Sequence, residues 1–216
     1  MHLLYPTKCP VCDEIIGYSE RFCKVCENKL TKYHDNYSIK AAESFSAAFE
    51  YDENSSPAVI LMKRGICGNA DYALGGAVAD VLKENDISEK ADVIVPVPMY
   101  QKDERKRGFN QAFLIAKVIS RELNLPVCEN AVEKSRITAN QKELSREERA
   151  VNLKNAFSVK KPDAVRGKRV LLVDDVCTTG STLAEITEIL LKSGASAVHC
   201  AVCCKTPQIK SSEADR

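Results

Sequence analysis

Two adjacent carboxylates and a hydroxyl-rich loop follow one apolar stretch of the sequence. Residues 170–173 are apolar, Asp174 and Asp175 come next, and residues 177–182 read Cys-Thr-Thr-Gly-Ser-Thr. Carboxylates accept hydrogen bonds from a sugar diol, whereas free N–H groups at the start of a helix bind phosphate. Two acids at the buried end of a strand are costly without partners. The stretch therefore predicts a site for a sugar that bears a terminal phosphate.

The loop has the composition of an anion-binding turn. Gly180 lets the backbone approach a ligand closely. Four further residues add hydroxyl donors: Thr178, Thr179, Ser181 and Thr182. Neither GxxxxGK[ST] nor GxGxxG is present, which excludes the NTPase P-loop and the dinucleotide fingerprint. The alternative is structural, with the acids ending a strand and the hydroxyls capping a helix.

Cys177 opens this loop and is interpreted as one of its small residues. The alternative is a reactive thiol, because the N-terminus of a helix can lower the pKa of a cysteine.

Four of the ten cysteines form two CxxC pairs near the start of the chain. Cys9 and Cys12 make the first pair, Cys23 and Cys26 the second, with ten residues between them. Four thiolates at this spacing can surround one Zn²⁺ in a closed, structural site. The alternatives are a redox-active pair and cysteines that are unrelated to one another. Residues 1–36, here called the cysteine module, are predicted to fold around the metal. The other six cysteines are expected mostly in the core.

Two segments concentrate positive charge. Residues 101–108 contain Lys102, Arg105, Lys106 and Arg107 against two acids, and arginine suits bidentate contact with phosphate oxygens. Residues 134–154 are also basic and lack a long apolar core, which is typical of a mobile flap. The alternatives are a solvated helix start for the first segment and an exposed loop without ligand contact for the second.

Strand and helix patterns alternate after the cysteine module. Strands are expected at 43–51, 92–97, 170–173 and 197–203, and helices at 58–62, 71–82, 109–123, 145–155 and 182–192. Thr182 and Glu185 are spaced as a capping box for the last helix, and Gly194 ends it. Continuous apolar strands that alternate with helices predict a doubly wound α/β fold with a mainly parallel sheet. This domain is expected over 37–208, with a hood built from 40–70 and 134–160 that carries the cysteine module, and a flexible tail over 209–216.

Overall composition excludes several classes of protein. The chain of 216 residues carries 31 basic and 30 acidic side chains, so a globally basic nucleic-acid binder is excluded. No apolar run reaches 18 residues, which predicts no membrane insertion. The first residues lack the pattern of a secretory signal, and we expect a cytoplasmic protein.

Residues 170–182 resemble the signature for 5-phosphoribosyl 1-diphosphate (PRPP) of type I phosphoribosyltransferases. Taken with the four N-terminal cysteines, further motifs in the same order resemble the ComF family: Lys63-Arg64-Gly65, Val95-Pro-Val-Pro98, Arg105-x-Arg107-Gly-Phe-Asn-Gln111, and Arg136-x-Thr138-x-x-Gln141-x-x-Leu144 with Arg149 and Asn152. The resemblance covers nearly the whole chain, and the combination of motifs is specific.

The resemblance implies roles for individual residues. Asp174 and Asp175 would hold the ribose hydroxyls, and residues 177–182 the 5-phosphate. Five residues would serve the pyrophosphate or the flap that closes over it: Lys63, Arg105, Arg107, Arg136 and Gln141. It also implies Mg²⁺ bound with PRPP, an acceptor of unknown identity and a link to DNA uptake. Candidate partners are single-stranded DNA, a competence helicase and a second copy of the chain.

Three functions follow as hypotheses. The first is transfer of a phosphoribosyl group to an acceptor with release of pyrophosphate. The second is a regulator that binds PRPP or a nucleotide without turnover. The third is an accessory of DNA processing that contacts single-stranded DNA; the scarcity of aromatic residues, with no tryptophan, argues against it.

Overall fold

The computed structural model describes residues 6–65, 69–134 and 156–207. The strands are β1 (Ser44–Glu50), β2 (Val93–Pro96), β3 (Val132–Lys134), β4 (Phe157–Val159), β5 (Arg169–Cys177) and β6 (Ala197–Lys205). The helices are α1 (Lys24–Glu27), α2 (Ser56–Arg64), α3 (Ala70–Glu84), α4 (Gln101–Arg107), α5 (Gln111–Leu123), α6 (Pro162–Val165) and α7 (Ser181–Lys192), and a 3₁₀ turn spans Ile87–Glu89. No helix in these ranges is long and apolar enough to cross a membrane.

A parallel sheet of four strands, in the order β1-β6-β5-β2, forms the centre of the fold. Its middle strands are apolar on both faces, and residues 170–173 are fully buried. Helices α3 and α5 cover one face, whereas α7 packs against the other. The predicted doubly wound α/β fold is therefore confirmed. In such a sheet the carboxyl ends of the parallel strands meet at one edge, where ligands bind.

Local sequence explains where the helices next to this edge begin and end. Asn110 caps α5, since its side chain accepts a hydrogen bond from the N–H of Ala112 at 3.0 Å and donates to the carbonyl of Val97 at 3.0 Å. The cap fixes α5 to the chain that leaves β2. Helix α2 ends at Arg64 and is capped by Gly65, whose φ of 66° lies in the left-handed region that favours glycine.

The structure corrects three sequence-based expectations. Strand β1 is not part of a hood, because it pairs in parallel with β6 as an edge of the main sheet. Strand β5 continues beyond the apolar residues to Cys177, since β6 is long enough to pair with it. The capping box of α7 is wrong: Gly180 is the N-cap, and Glu185 accepts a hydrogen bond from the N–H of Ala156 at 3.2 Å instead.

The hood region contains an antiparallel pair, β3 and β4, that contacts α7 through β4. The predicted helix over 145–155 lies outside the described residues.

The cysteine module packs on β1 and α3. Phe22 meets Phe49 of β1 edge to face, with ring centroids 5.9 Å apart. Asn69 donates to the carbonyls of Glu20 (3.0 Å) and Arg21 (3.1 Å), and Arg21 forms an ion pair with Asp80 of α3. Residues of the module and of the parallel-sheet domain thus share one hydrophobic core.

Candidate functional site

A cavity of about 390 Å³ opens at the carboxyl ends of β2 and β5. It brings together the predicted acids, the whole predicted loop and Lys63 of α2. Its lining residues are Tyr51, Lys63, Val97, Pro98, Lys134, Phe157 and the continuous stretch 174–183. Cavities of this size hold small-molecule ligands.

The two carboxylates at the end of β5 differ in their surroundings. Asp175 forms an ion pair with Lys63, with Nζ 2.8 Å from Oδ2 and only 15% of the Asp175 side chain exposed. Burial raises the pKa of Asp174 well above its ordinary value, and the charge of Asp175 acts in the same direction. The site therefore holds one paired carboxylate beside one that resists ionisation.

Lys63 is the cation that the fold places against these acids. Burial lowers its pKa, but the charges of Asp175 and Asp174 outweigh this effect, so that the pKa is raised. Lys63 thus stays protonated at neutral pH and offers a positive charge at the cavity wall.

The predicted phosphate loop connects β5 to α7. Gly180 has a φ of 71°, and a Cβ atom there would lie 2.6 Å from Cδ1 of Ile39. The hydroxyls of Thr179 and Ser181 lie 2.9 Å apart. Helix α7 starts at Ser181, so its unpaired N–H groups and the positive end of its dipole lie at the loop. This arrangement suits a phosphate group.

Two residues that the sequence analysis missed contact the loop. Tyr37 donates to the carbonyl of Thr179 at 2.9 Å. Lys205, at the end of β6 and 1% exposed, donates to the carbonyl of Thr178 at 3.0 Å. A lysine at the end of an otherwise apolar strand could have identified Lys205 from the sequence as a candidate functional residue. The contact of Tyr37, 142 positions away from Thr179, leaves no local trace in the sequence.

Lys134 of β3 is a third missed residue, and it lines the cavity beside Phe157 of β4. Its Nζ lies 5.6 Å from the centroid of that ring. Burial lowers the pKa of Lys134, although the charge of Asp174 acts in the other direction. Lys134 and Lys63 therefore place two basic groups around the acids.

Cys177 is buried at the end of β5 with 3% of the residue exposed. Burial raises the pKa of its thiol to about 11, which opposes the reactive interpretation. Cys200, Cys203 and Cys204 are also buried, as expected of core cysteines, whereas Cys128 is half-buried and Cys67 lies outside the described residues.

A second cleft, of about 630 Å³, adjoins the first through Pro98 and Lys134. Arg105 lines this cleft, together with Lys102, Lys160 and Lys161. Arg107 is exposed on α4 and lines neither cavity. The segment 101–107, predicted to bind pyrophosphate, is a short helix whose charges point largely to solvent. Arg136 and Gln141 lie outside the described residues.

The four paired cysteines converge as predicted. The sulfurs of Cys9, Cys12, Cys23 and Cys26 all lie within 4.8 Å of one another. A backbone hydrogen bond of 2.8 Å from Cys9 to Glu14 closes the first turn, and Cys23 caps α1 at the second. Four thiolates in this arrangement fit one structural Zn²⁺.

Two known domain families match the chain. A phosphoribosyl transferase domain matches residues 73–214, and a double zinc ribbon domain matches residues 1–56. The chain therefore belongs to the phosphoribosyl transferase domain family and carries an N-terminal zinc ribbon with four cysteines.

Within this family the chain is similar to proteins of the competence group. It is 33% identical to competence protein F of Haemophilus influenzae over 92% of this chain and 90% of that protein. It is 25% identical to competence protein ComFC of Bacillus subtilis over 88% of this chain and 73% of that protein. These relatives confirm the predicted membership of the ComF family.

DNA utilization protein YhgH of Escherichia coli is 46% identical over 53% of this chain. The match covers 50% of the length of that relative. Among solved structures, adenine phosphoribosyltransferase from Saccharomyces cerevisiae is similar, with a TM-score of 0.46, 16% identity, and coverage of 84% of this chain and 86% of that one.

Proposed function

We propose that the cavity binds PRPP and that the protein transfers its phosphoribosyl group to an acceptor. The observation that carries this proposal is the convergence of Asp174, Asp175 and the loop 178–182 on one cavity. The acids suit the ribose hydroxyls, and the loop with the start of α7 suits the 5-phosphate. A sugar phosphate needs both sets of groups at once, whereas a simple anion would not use the acids.

The proposed reaction breaks the bond between C1 of the ribose and the diphosphate oxygen. Pyrophosphate leaves with the electron pair, the acceptor forms the new bond to C1, and its proton leaves to solvent. Positive charge that develops on the ribose lies near Asp174 and Asp175, while Lys63 and Lys134 can oppose the negative charge of the diphosphate. Mg²⁺, bound through diphosphate oxygens, would neutralise more of that charge.

Binding is tested by titration calorimetry of the zinc-loaded protein with PRPP, with and without Mg²⁺. The double variant Asp174→Asn/Asp175→Asn is expected to lose binding. Asp163→Asn is the matched control, because that carboxylate is exposed on α6, with 89% of its side chain accessible. Absence of PRPP binding to the folded wild-type protein would contradict the proposal.

Turnover separates the enzyme from a silent regulator. The transferase releases pyrophosphate from PRPP when its acceptor is present, whereas a regulator binds PRPP without release. A coupled pyrophosphate assay over mixtures of candidate acceptors, with the double variant as blank, makes the distinction.

Contact with single-stranded DNA is a second candidate. The names of the relatives refer to competence and DNA utilization, and helix α4 exposes Lys102, Arg105, Lys106 and Arg107 beside the second cleft. Binding through these charges should weaken steeply with salt. Arg105→Glu/Arg107→Glu should abolish it, and unchanged affinity in that variant would exclude α4 as the DNA contact.

A further inference from the structure

The backbone carbonyl oxygens of the phosphate loop would repel an anion if they faced it. These oxygens carry partial negative charge, and a phosphate is bound only if N–H groups rather than carbonyls face it. In this chain the carbonyls of Thr178 and Thr179 accept hydrogen bonds from Lys205 and Tyr37 respectively. Neither donor lines the cavity, so both carbonyls are engaged behind the loop.

We propose that Lys205 and Tyr37 are positioning residues that hold the loop in its phosphate-binding form and supply a buried positive charge behind it. The inference rests on the proposed function, because it names what shapes the same site. Both residues act through the loop and touch no ligand.

Lys205 lies next to the start of the phosphate loop in the sheet, where it can hold the loop in place. It is paired with Cys177, the residue at which β5 ends and the loop begins. The N–H of Thr206 also donates to the carbonyl of Cys177 at 3.0 Å. The end of β6 is thereby tied to the start of the loop by backbone as well as by the lysine side chain.

The Lys205 ammonium group makes two hydrogen bonds but no ion pair within the described residues. Burial lowers the pKa of Lys205, whereas the charges of Cys177 and Asp35 act in the opposite direction. Nζ donates to the carbonyls of Thr178 (3.0 Å) and Thr206 (2.6 Å) and lies 4.3 Å from the centroid of the Tyr37 ring. No carboxylate of the described residues forms an ion pair with it. A buried ammonium group without a directly paired carboxylate is costly, and a phosphate on the other side of the loop would lower that cost.

Tyr37 fixes the other half of the loop. Its hydroxyl oxygen and Cδ1 of Ile39 would lie 2.9 and 2.6 Å from a Cβ atom at position 180, so the backbone of Gly180 packs directly on this segment. The segment directly follows the cysteine module. The back of the phosphate loop is therefore built from two chain regions, residues 37–39 and the end of β6.

The test compares two ligands that address different parts of the proposed site, ribose 5-phosphate and Mg²⁺-pyrophosphate, on the zinc-loaded full chain. Lys205→Met should weaken ribose 5-phosphate binding about 10- to 100-fold, the loss expected for a hydrogen-bonded charged group. The affinity for Mg²⁺-pyrophosphate should stay within about twofold of wild type, a smaller change than the loss of one hydrogen bond would cause. Lys205→Arg, which keeps charge and donors, should recover most of the affinity.

Two further variants complete the experiment. Lys192→Met makes the same change on the exposed last turn of α7, about 18 Å along the 12-residue helix from the loop, and should leave both affinities unchanged. Tyr37→Phe keeps the ring and removes one donor, so it tests the same arrangement if Lys205→Met does not fold. We expect it to weaken ribose 5-phosphate several-fold.

The outcomes distinguish this inference from the proposed function. If the wild-type protein binds ribose 5-phosphate and Lys205→Met binds it equally well, the positioning role is overturned and the proposed function stands. The positioning role is also overturned if both ligands weaken equally, because the lysine would then support the fold in general. If the wild-type protein binds neither ligand, both proposals fall together.

Discussion

Asp174 should cost the folded protein stability at neutral pH, and its removal should therefore stabilise the fold while it abolishes ligand binding. Burial and the neighbouring charge of Asp175 raise the pKa of Asp174 well above its ordinary value. Asp174→Asn removes the ionisable group and keeps an oxygen that can accept the 2.8 Å hydrogen bond from the N–H of Asp175. A gain in stability from the loss of a functional residue is typical of sites built for binding.

The sign and size of the effect follow from the raised pKa. Below the unfolded-state value, about 3.9, Asp174 is protonated in both states and costs nothing. As the pH rises from there to the folded-state pKa, the wild-type protein loses about 1.4 kcal/mol per unit of pH. We expect Asp174→Asn to be more stable than wild type by about 1–3 kcal/mol at pH 7.5, with the difference shrinking towards lower pH.

The assay is urea unfolding of both proteins at several pH values between about 4 and 7.5, with zinc in excess, because a cost of this size develops as the pH rises from the unfolded-state value. Because both proteins lose zinc alike at low pH, their difference isolates residue 174. Asp163→Asn, on an exposed side chain whose ion pair with Arg166 lies at the surface, is the control and should change the stability much less than Asp174→Asn. A less stable Asp174→Asn variant at pH 7.5, or a difference independent of pH, would refute the reasoning.

Three further predictions address the loop, its cysteine and the metal. Gly180→Ala should lower the free energy of unfolding by about 1–3 kcal/mol, because φ is positive and the new Cβ would meet Ile39; equal stability in urea unfolding would contradict this. Cys177→Ala should bind PRPP with an affinity within about threefold of wild type, because the thiol is buried and burial raises its pKa to about 11. A larger loss of affinity in calorimetry would show that the thiol contacts the ligand. Removal of zinc by a chelator should lower the Tm of the whole chain, because Phe22 of the cysteine module packs on Phe49 of β1; an unchanged Tm in differential scanning fluorimetry would show that the module is uncoupled.

Local patterns in the sequence were sufficient to predict the α/β class of the fold and the acids and loop that line the cavity. The apolar run 170–173 predicts a buried strand, and the acids and loop after it predict a ligand edge, since a doubly wound sheet binds ligands there. The spacing of Cys9, Cys12, Cys23 and Cys26 likewise predicts one metal site, because the ligand geometry is local to two short turns.

Contacts between residues that are far apart in the sequence could not be predicted from local patterns. The alternation over 43–51 predicts a strand but not its neighbour, and β1 proved to be an edge of the main sheet rather than part of a hood. Glu185 has the spacing of a capping residue but bonds to Ala156, which is 29 positions earlier. Such long-range contacts are decided by packing, and a window of a few residues carries no information about them.

The central claim, a PRPP site at the carboxyl end of β5, is tested most directly by a crystal structure of the zinc-loaded protein with PRPP and Mg²⁺. The account predicts the 5-phosphate on the backbone N–H groups of the loop around Gly180, with the ribose hydroxyls on Asp174 and Asp175. PRPP bound elsewhere, or a ligand whose phosphate lies away from this loop, would contradict it.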